Sequence, residues 1–402
     1  MKARTVVTYT LSRCVKCLKC VKSCPTSALS MEHGRILVNS ERCINCGRCI
    51  RSCHNKGLLS QGSTLEDIHS YDYTVCMVPS ALSNSCRSRE EAEDLFHAIR
   101  MLGFDEVVDL SPTEGQIMHE TKMLADEFGN QSVIASFCPA VNRLIETVYP
   151  MLLDNLAPLI YPSEAAAKMI RRTHQNHGRV GIFSCCECEA KLALAKYPYG
   201  NFEFETDHAL AIVDIFPKIR QNMKKGRDAV LFSREGLQSC NPAAMAQKPE
   251  YLIADGFEKI NSVLSLEEFG QLNTYRLLYL FPCFNGCIGG HLLWGNSFLT
   301  RNNIYELTSK GERPISEIPL DDLYSDSVCR TSEDQRTFTE KIEFFQKVNE
   351  QLEKLPGFDC SACGMQTCRI MAEEIVKGNK TLDDCRIRAA MKEDEHDHQG
   401  TP

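Results

Sequence analysis

The chain has 402 residues, 43% hydrophobic and 24% charged, which suits a globular protein with room for two or three domains. No stretch approaches the ~20 apolar residues of a membrane span, and the greasiest run, Leu277 to Phe284, contains Pro282. The opening residues, MKARTVVTYTLSRC, lack the apolar segment of a secretion signal. Its 22 cysteines are therefore expected to stay reduced, in a cytoplasmic and anaerobic setting.

The first pattern is Cys14-x2-Cys17-x2-Cys20-x3-Cys24-Pro25, repeated 29 residues later as Cys43, Cys46, Cys49 and Cys53. A cubane cluster needs four thiolates converging from different directions. Three cysteines two residues apart wrap one face, and the fourth comes from elsewhere. In two-cluster ferredoxins the fourth cysteine of each run serves the other cluster. The spacing therefore assigns Cys14, Cys17, Cys20 and Cys53 to one 4Fe–4S centre, and Cys43, Cys46, Cys49 and Cys24 to a second. Zinc also takes paired Cys-x2-Cys motifs and is the alternative reading.

Charge is unevenly spread. Residues 1–59 carry 11 Lys/Arg, among them Lys16, Lys19, Lys22, Arg48 and Arg51, against only Glu32 and Glu41. That segment is +9 in a chain of −8, leaving −17 on the rest. The excess predicts a docking face for an acidic electron carrier such as ferredoxin or flavodoxin, or for a redox partner subunit. Local compensation of the anionic clusters is the competing explanation. The basic residues alternate with cluster ligands rather than with aromatic platforms, so nucleic acid is not expected as a partner.

After Gly57, Gln61-Gly62-Ser63-Thr64 reads as a linker. β-rich runs then alternate with helical ones: strand Tyr73–Val78, a helix over Glu90–Leu102, and strand Glu106–Leu110. Strand Val133–Phe137 and a helix through Asn142–Val148 follow, then strands Val180–Ser184, Ala229–Phe232 and Tyr275–Phe281. This alternation predicts parallel sheets flanked by helices, with ligands at the carboxyl ends of strands. Cys138, the group Cys185, Cys186 and Cys188, and the pair Cys283 and Cys287 all follow such strands. Six thiols can thus converge on one cleft.

A charged helix over Glu340–Leu355 and the boundary Leu355-Pro356-Gly357 lead to a third pattern, Cys360-x2-Cys363-x4-Cys368-x16-Cys385. It suits a three-ligand loop, a helix over Arg369–Lys377 and a returning fourth ligand for another 4Fe–4S cluster. A four-cysteine zinc site is the alternative. The polar tail from Lys392 is expected to be disordered, with His396 and His398 in a solvated acidic stretch. The expected domains are 1–60, 61–340 and 341–390, with 391–402 as tail.

Ala135-Ser136-Phe137-Cys138-Pro139-Ala140-Val141, with Tyr149-Pro150-x-Leu152, resembles the first signature of the iron-only (FeFe) hydrogenase catalytic domain. Cys188-x2-Lys191 resembles the second, and Pro282-Cys283-x3-Cys287-x-Gly289-Gly290 the third. Val78-Pro79-Ser80 and Leu102-Gly103-Phe104-Asp105-Glu106-Val107 are similar to the family's first lobe, and the resemblance spans roughly residues 70–310. With its flanking modules, the layout is most similar to the sensory members.

The resemblance implies a two-lobed α/β domain with its active site between lobes. It implies that Cys138, Cys188, Cys283 and Cys287 hold a cubane, Cys287 bridging to a diiron unit with CO, cyanide and a dithiolate (together the H-cluster). Cys188 is preferred to Cys185 or Cys186 because it alone has Lys at +3 and a fitting distance to Tyr197-Pro198. Lys191 would donate to a cyanide. H2 and protons are the implied substrates. Sensory relatives continue into a PAS domain and a kinase or phosphatase; this chain stops at Pro402, so a separate signalling protein is the implied output partner.

Departures from the family pattern point to weak turnover. Phe137 stands where a proton-shuttling cysteine is usual, and a phenyl ring carries no proton. Leu194 replaces a glutamate, and Cys186 and Phe281 replace methionines that pack beside the diiron unit. Phe137 is also expected to crowd that unit. Of the other cysteines, Cys76, Cys86, Cys240 and Cys329 are expected to be buried free thiols, while Cys185 and Cys186 could serve as alternative ligands or proton carriers. The expected function is an iron–sulphur redox protein of this family, a sensory or low-activity hydrogenase passing electrons through ferredoxin-type clusters. The alternative is a non-catalytic 4Fe–4S electron-transfer or cluster-assembly protein without the diiron unit. Phe137 and Leu194 favour that alternative; the intact Cys188-x2-Lys191 opposes it.

Overall fold

The computed structural model describes residues 5–127, 131–198, 203–325 and 337–397. Cys329, His398 and the side chain of His396 lie outside that description. The chain divides into two compact units. One comprises Met1–Val6, Ile44–Gly47 and Gln61–Arg330; the other comprises Val7–Cys43, Arg48–Ser60 and Thr331–Pro402.

The first unit is α/β and contains two parallel sheets. The four-stranded sheet has the spatial order Glu106–Asp109, Tyr73–Val78, Val180–Cys186, His208–Ala211. Its central strands are buried on both faces, as parallel strands under helices must be. Side chains alternate: Cys76, Val78, Phe183 and Cys185 join a core with Leu95 and Ile99, while Val75, Met77, Val180 and Ile182 pack on Ala166, Ala167 and Ile170. The three-stranded sheet places Leu277–Phe281 between Tyr251–Asp255 and Val133–Ile134. Leu278 and Leu280 pack on one side with Leu144 and Ile145; Leu277, Tyr279 and Phe281 pack on the other with Met118. Leu144 and Ile145 are at most 1% exposed, and each such burial contributes about 1.5–3 kcal/mol.

Three strand assignments change. Ala229–Phe232 is not a strand: Phe232 is buried edge-on against Phe96, and its carbonyl accepts from Arg313 N. The run is consumed by packing on helix Arg89–Arg100, and the sheet edge is taken instead by His208–Ala211. Tyr251–Asp255, unassigned from sequence, pairs along its length with Leu277–Phe281.

The second unit carries both small cysteine modules. Val7–Tyr9 pairs antiparallel with Leu58–Ser60, and Leu29–Glu32 with Arg35–Val38. His33 and Gly34 close the latter hairpin, both at positive φ (46° and 75°), the backbone of a tight primed turn. Near the C-terminus, Val348 of helix Phe338–Leu352 packs with Met371 and Ala372 of helix Cys368–Val376 and with Cys385. The tail departs from the expected disorder: a helix runs Arg386–Asp397. It starts from the Cys385 carbonyl, which accepts from Ala389 N, and Ala389, Ala390, Met391, Lys392 and Glu393 are all good helix formers.

Candidate metal centres

Loop backbone prepares the N-terminal sites. Lys16 and Leu18 adopt left-handed φ of 57° and 62°; Asn45 and Gly47, at the matching places in the repeat, adopt 53° and 71°. Such turns fold the chain back so that N–H groups reach sulphur. Lys16 N donates to Cys14 Sγ at 3.4 Å. The repeat shows again in Ala28 N donating to Cys24 Sγ at 3.1 Å and Gly57 N to Cys53 Sγ at 3.2 Å, each four residues on. Hydrogen bonds to sulphur stabilise thiolate and tune a bound cluster.

Cys14, Cys17, Cys20 and Cys53 line one cavity of about 130 Å³, with Tyr9, Met31 and Ile36. Cys20 is buried, and burial pushes its thiol up to about 11; iron would supply what keeps it a thiolate. Cys24, Cys43 and Cys49 are buried in the same unit's core, whereas Cys46 belongs to Ile44–Gly47 and lines the central cavity described next. Cys360, Cys363, Cys368 and Cys385 line a single cavity with Met365 and Met371.

The central cavity lies in the first unit. Cys138 is the N-cap of helix Pro139–Val148 and Cys188 the N-cap of helix Glu189–Lys196. Cys283 follows strand Leu277–Phe281, and Cys287 sits in the turn Gly286–Gly289. All four line one cavity with Lys191, Phe137 and Phe281. Gly286 makes the turn possible: at φ 76°, a Cβ there would stand 2.3 Å from Pro242 and 2.6 Å from the Cys240 carbonyl oxygen. Burial pushes the thiols of Cys138, Cys188 and Cys287 up, and Lys191 pulls each back down.

A second compartment adjoins it, sharing Phe137, Lys191 and Cys287 and adding Glu114, Met118, Cys240 and Tyr279. Lys191 Nζ lies 2.6 Å from Glu187 Oε1 and 4.0 Å from Glu114 Oε1, with Glu187 fully buried. Burial pushes Lys191 down, but Glu187, Cys287 and Glu114 outweigh it and hold the ammonium well above its ordinary value. Phe137 packs on Tyr279 and Phe281 at ring distances of 5.8 and 5.1 Å. Strand alternation turns Cys185 toward Cys76, Sγ to Sγ 3.5 Å, and Cys186 into another apolar cluster. Neither lines either compartment.

Glu114, Glu187 and Met118 carry no assignment from sequence, and Cys240 is read there only as a buried free thiol. Only Glu187 left a local signal, an acid between two cysteines. Cys76, Cys86 and Cys240 are buried thiols, and Leu194 is buried.

The donor set fits cubanes. Three of the four sets, Cys14/Cys17/Cys20/Cys53, Cys138/Cys188/Cys283/Cys287 and Cys360/Cys363/Cys368/Cys385, each line one cavity, as a cage-shaped cluster needs, whereas Cys24, Cys43 and Cys49 lie in a core that Cys46 does not share. For a diiron unit the fit is partial. Cys287 and Lys191 stand at the junction of the compartments, but Lys191 is already held by two carboxylates.

No curated protein matches the chain. Among solved structures, a variant of FeFe-hydrogenase HydA1 from Chlamydomonas reinhardtii shows 15% identity and a TM-score of 0.46, covering 66% of this chain and 98% of that one. A structure on oxygen inactivation of FeFe-hydrogenase through its H cluster 2Fe subcluster gives 15% and 0.46, covering 66% and 97%. One on stepwise H-cluster assembly, HydA(deltaEFG), gives 16% and 0.44, covering 66% and 96%. Residues 7–54 match the model of a 4Fe-4S dicluster domain, and residues 355–387 that of a putative Fe-S cluster domain. Residues 74–222 match the iron only hydrogenase large subunit, C-terminal domain, a stretch that holds Cys138, Cys188 and Lys191 but ends before Cys283 and Cys287. On those matches, residues 74–222 are similar to the iron-only (FeFe) hydrogenase large subunit, C-terminal domain, and lie between two stretches similar to iron–sulphur cluster modules.

Proposed function

We propose that this protein is a cytoplasmic redox protein holding four 4Fe–4S clusters, with slow, reversible hydrogen chemistry or hydrogen sensing at the central site. The observation that carries the reading is the cavity lined by Cys138, Cys188, Cys283 and Cys287, with Lys191 at the entrance to a second compartment. A diiron unit, when bound, would supply the metal that reacts with hydrogen. Cys287 would bridge to it, and Lys191 would donate to a cyanide. Phe137, packed against two aromatic rings, offers no proton path there. Electrons would enter from an acidic carrier at the basic N-terminal loop, where Cys17 is exposed.

The pairing of Lys191 with Glu187 favours a second reading, a protein holding cubanes alone. Infrared spectroscopy after anaerobic maturation separates them. CO and cyanide stretches are expected on the first reading; their absence beside intact cubanes would establish the second. With the diiron bands present, Phe137→Cys is expected to raise hydrogen evolution by about 100-fold, the usual worth of a positioned acid–base group. Unchanged evolution with the bands retained would refute the proton-path explanation.

A further inference from the structure

Extending the proposed set of four clusters, we infer that the C-terminal cluster exchanges electrons directly with the cluster of Cys14, Cys17, Cys20 and Cys53, across a seam between Gly364 and Met31. Both modules lie in the same compact unit. The Met31 side chain lines the cavity of those four cysteines. Its backbone N–H donates to the Gly364 carbonyl at 2.9 Å. Gly364 directly follows Cys363, which lines the C-terminal cavity. From Cys363 to Met31 the path is covalent except for a single hydrogen bond, and Met31 borders the four-cysteine cavity across van der Waals space.

The sequence is adapted to this approach. Gly364 has φ 87°, and a Cβ there would stand 2.1 Å from the Met31 carbonyl oxygen. Only glycine lets the two backbones meet. Gln366 fastens the seam, its Oε1 accepting from Ser27 Oγ and its Nε2 donating to the Lys22 carbonyl at 3.3 Å. Arg42, next to Cys43, pairs with Glu373 at 3.8 Å. Lys22, Ser27, Arg42, Gly364 and Gln366 each lie within three residues of a cysteine, and the seam is built of polar and backbone contacts rather than a large apolar patch. It therefore sets the distance between two sulphur sites more than it contributes to stability. In the transfer, one electron leaves a reduced cubane and reduces the oxidised one opposite. No bond forms or breaks, and no proton is required. The C-terminal cluster thereby becomes a branch of the electron route, a reservoir or second port.

The test uses anaerobic full-length protein and electron paramagnetic resonance of its reduced clusters, with the C-terminal signal identified by its loss in Cys385→Ser. In the parent, that signal is expected to be broadened by the neighbouring spin. Gly364→Val, and separately Gln366→Ala combined with Arg42→Glu, are expected to keep the parent iron content of about sixteen per chain, lose the broadening, and speed amide exchange at Met31 at least tenfold. The paired variant leaves the strained glycine untouched, so it reads out even if Gly364→Val fails to fold. An unbroadened signal in the parent, or broadening that survives once the Met31 amide is freed, overturns the inference while leaving the four-cluster reading intact. Iron well below that content in the parent overturns both.

Discussion

The Lys191 ammonium and the Glu187 carboxylate stand 2.6 Å apart, one helical turn from each other in sequence, with Glu187 completely buried. Glu187 directly precedes Cys188, so the lysine that lines the central cavity has its counter-charge buried beside it. Removing one partner of a buried pair leaves the other unpaired, which costs about 3–5 kcal/mol. Lys191→Met is expected to lower stability by that amount in denaturant titrations, and adding Glu187→Gln to restore most of it. If the double variant is no better than Lys191→Met alone, the pair is not coupled.

Asp109, which lines none of the cysteine cavities described, gives a pH signature of its own. Its carboxyl is 6% exposed, and burial pushes it from 3.8 up to about 7, against the Ser111 hydroxyl and backbone that favour its charged form. A carboxyl raised on folding binds its proton more tightly in the native state, so stability falls as pH rises through that interval and levels off above it. Asp109→Asn removes the decline. The variant is expected to gain on the order of 2 kcal/mol over the parent at pH 8 and almost nothing at pH 4.5. Equal effects at both values would contradict the assignment.

Gly286→Ala tests the turn that presents Cys287. The added methyl meets Pro242 and the Cys240 carbonyl oxygen at 2.3 and 2.6 Å, in a left-handed backbone. Iron is expected to fall from about sixteen to about twelve per chain, the loss of one cubane. The absorbance of the other clusters should persist.

The basic N-terminal segment supports a kinetic prediction. Reduction by an acidic carrier is expected to slow by about tenfold or more between low salt and 0.5 M salt, because screening removes steering between exposed charges. Charge reversal at Lys16 and Lys19 should flatten that dependence. A rate indifferent to salt would leave the positive excess as compensation for anionic clusters.

Much of this was legible in the sequence, for physical reasons. Ligand spacing along a loop is covalent, so Cys14-x2-Cys17-x2-Cys20 declares itself, and the lone fourth cysteines are found by duplication. Strands such as Tyr73–Val78 are apolar on both faces and stand out. Strand His208–Ala211 escaped notice because four residues carry too little pattern, while Ala229–Phe232 misled because an apolar run can pack without pairing. The orientations of Cys185 and Cys186 follow from strand alternation once the strand is known to reach Cys186. Glu114 and Cys240 reach the second compartment only through the tertiary fold, which no local spacing encodes.

The most direct measurement is metal and sulphide analysis of anaerobically purified protein, read alongside Mössbauer spectra. About sixteen irons and as much sulphide per chain, all in cubanes apart from any diiron unit, are expected. Stoichiometric zinc in colourless protein, with iron below one cubane per chain, would contradict it.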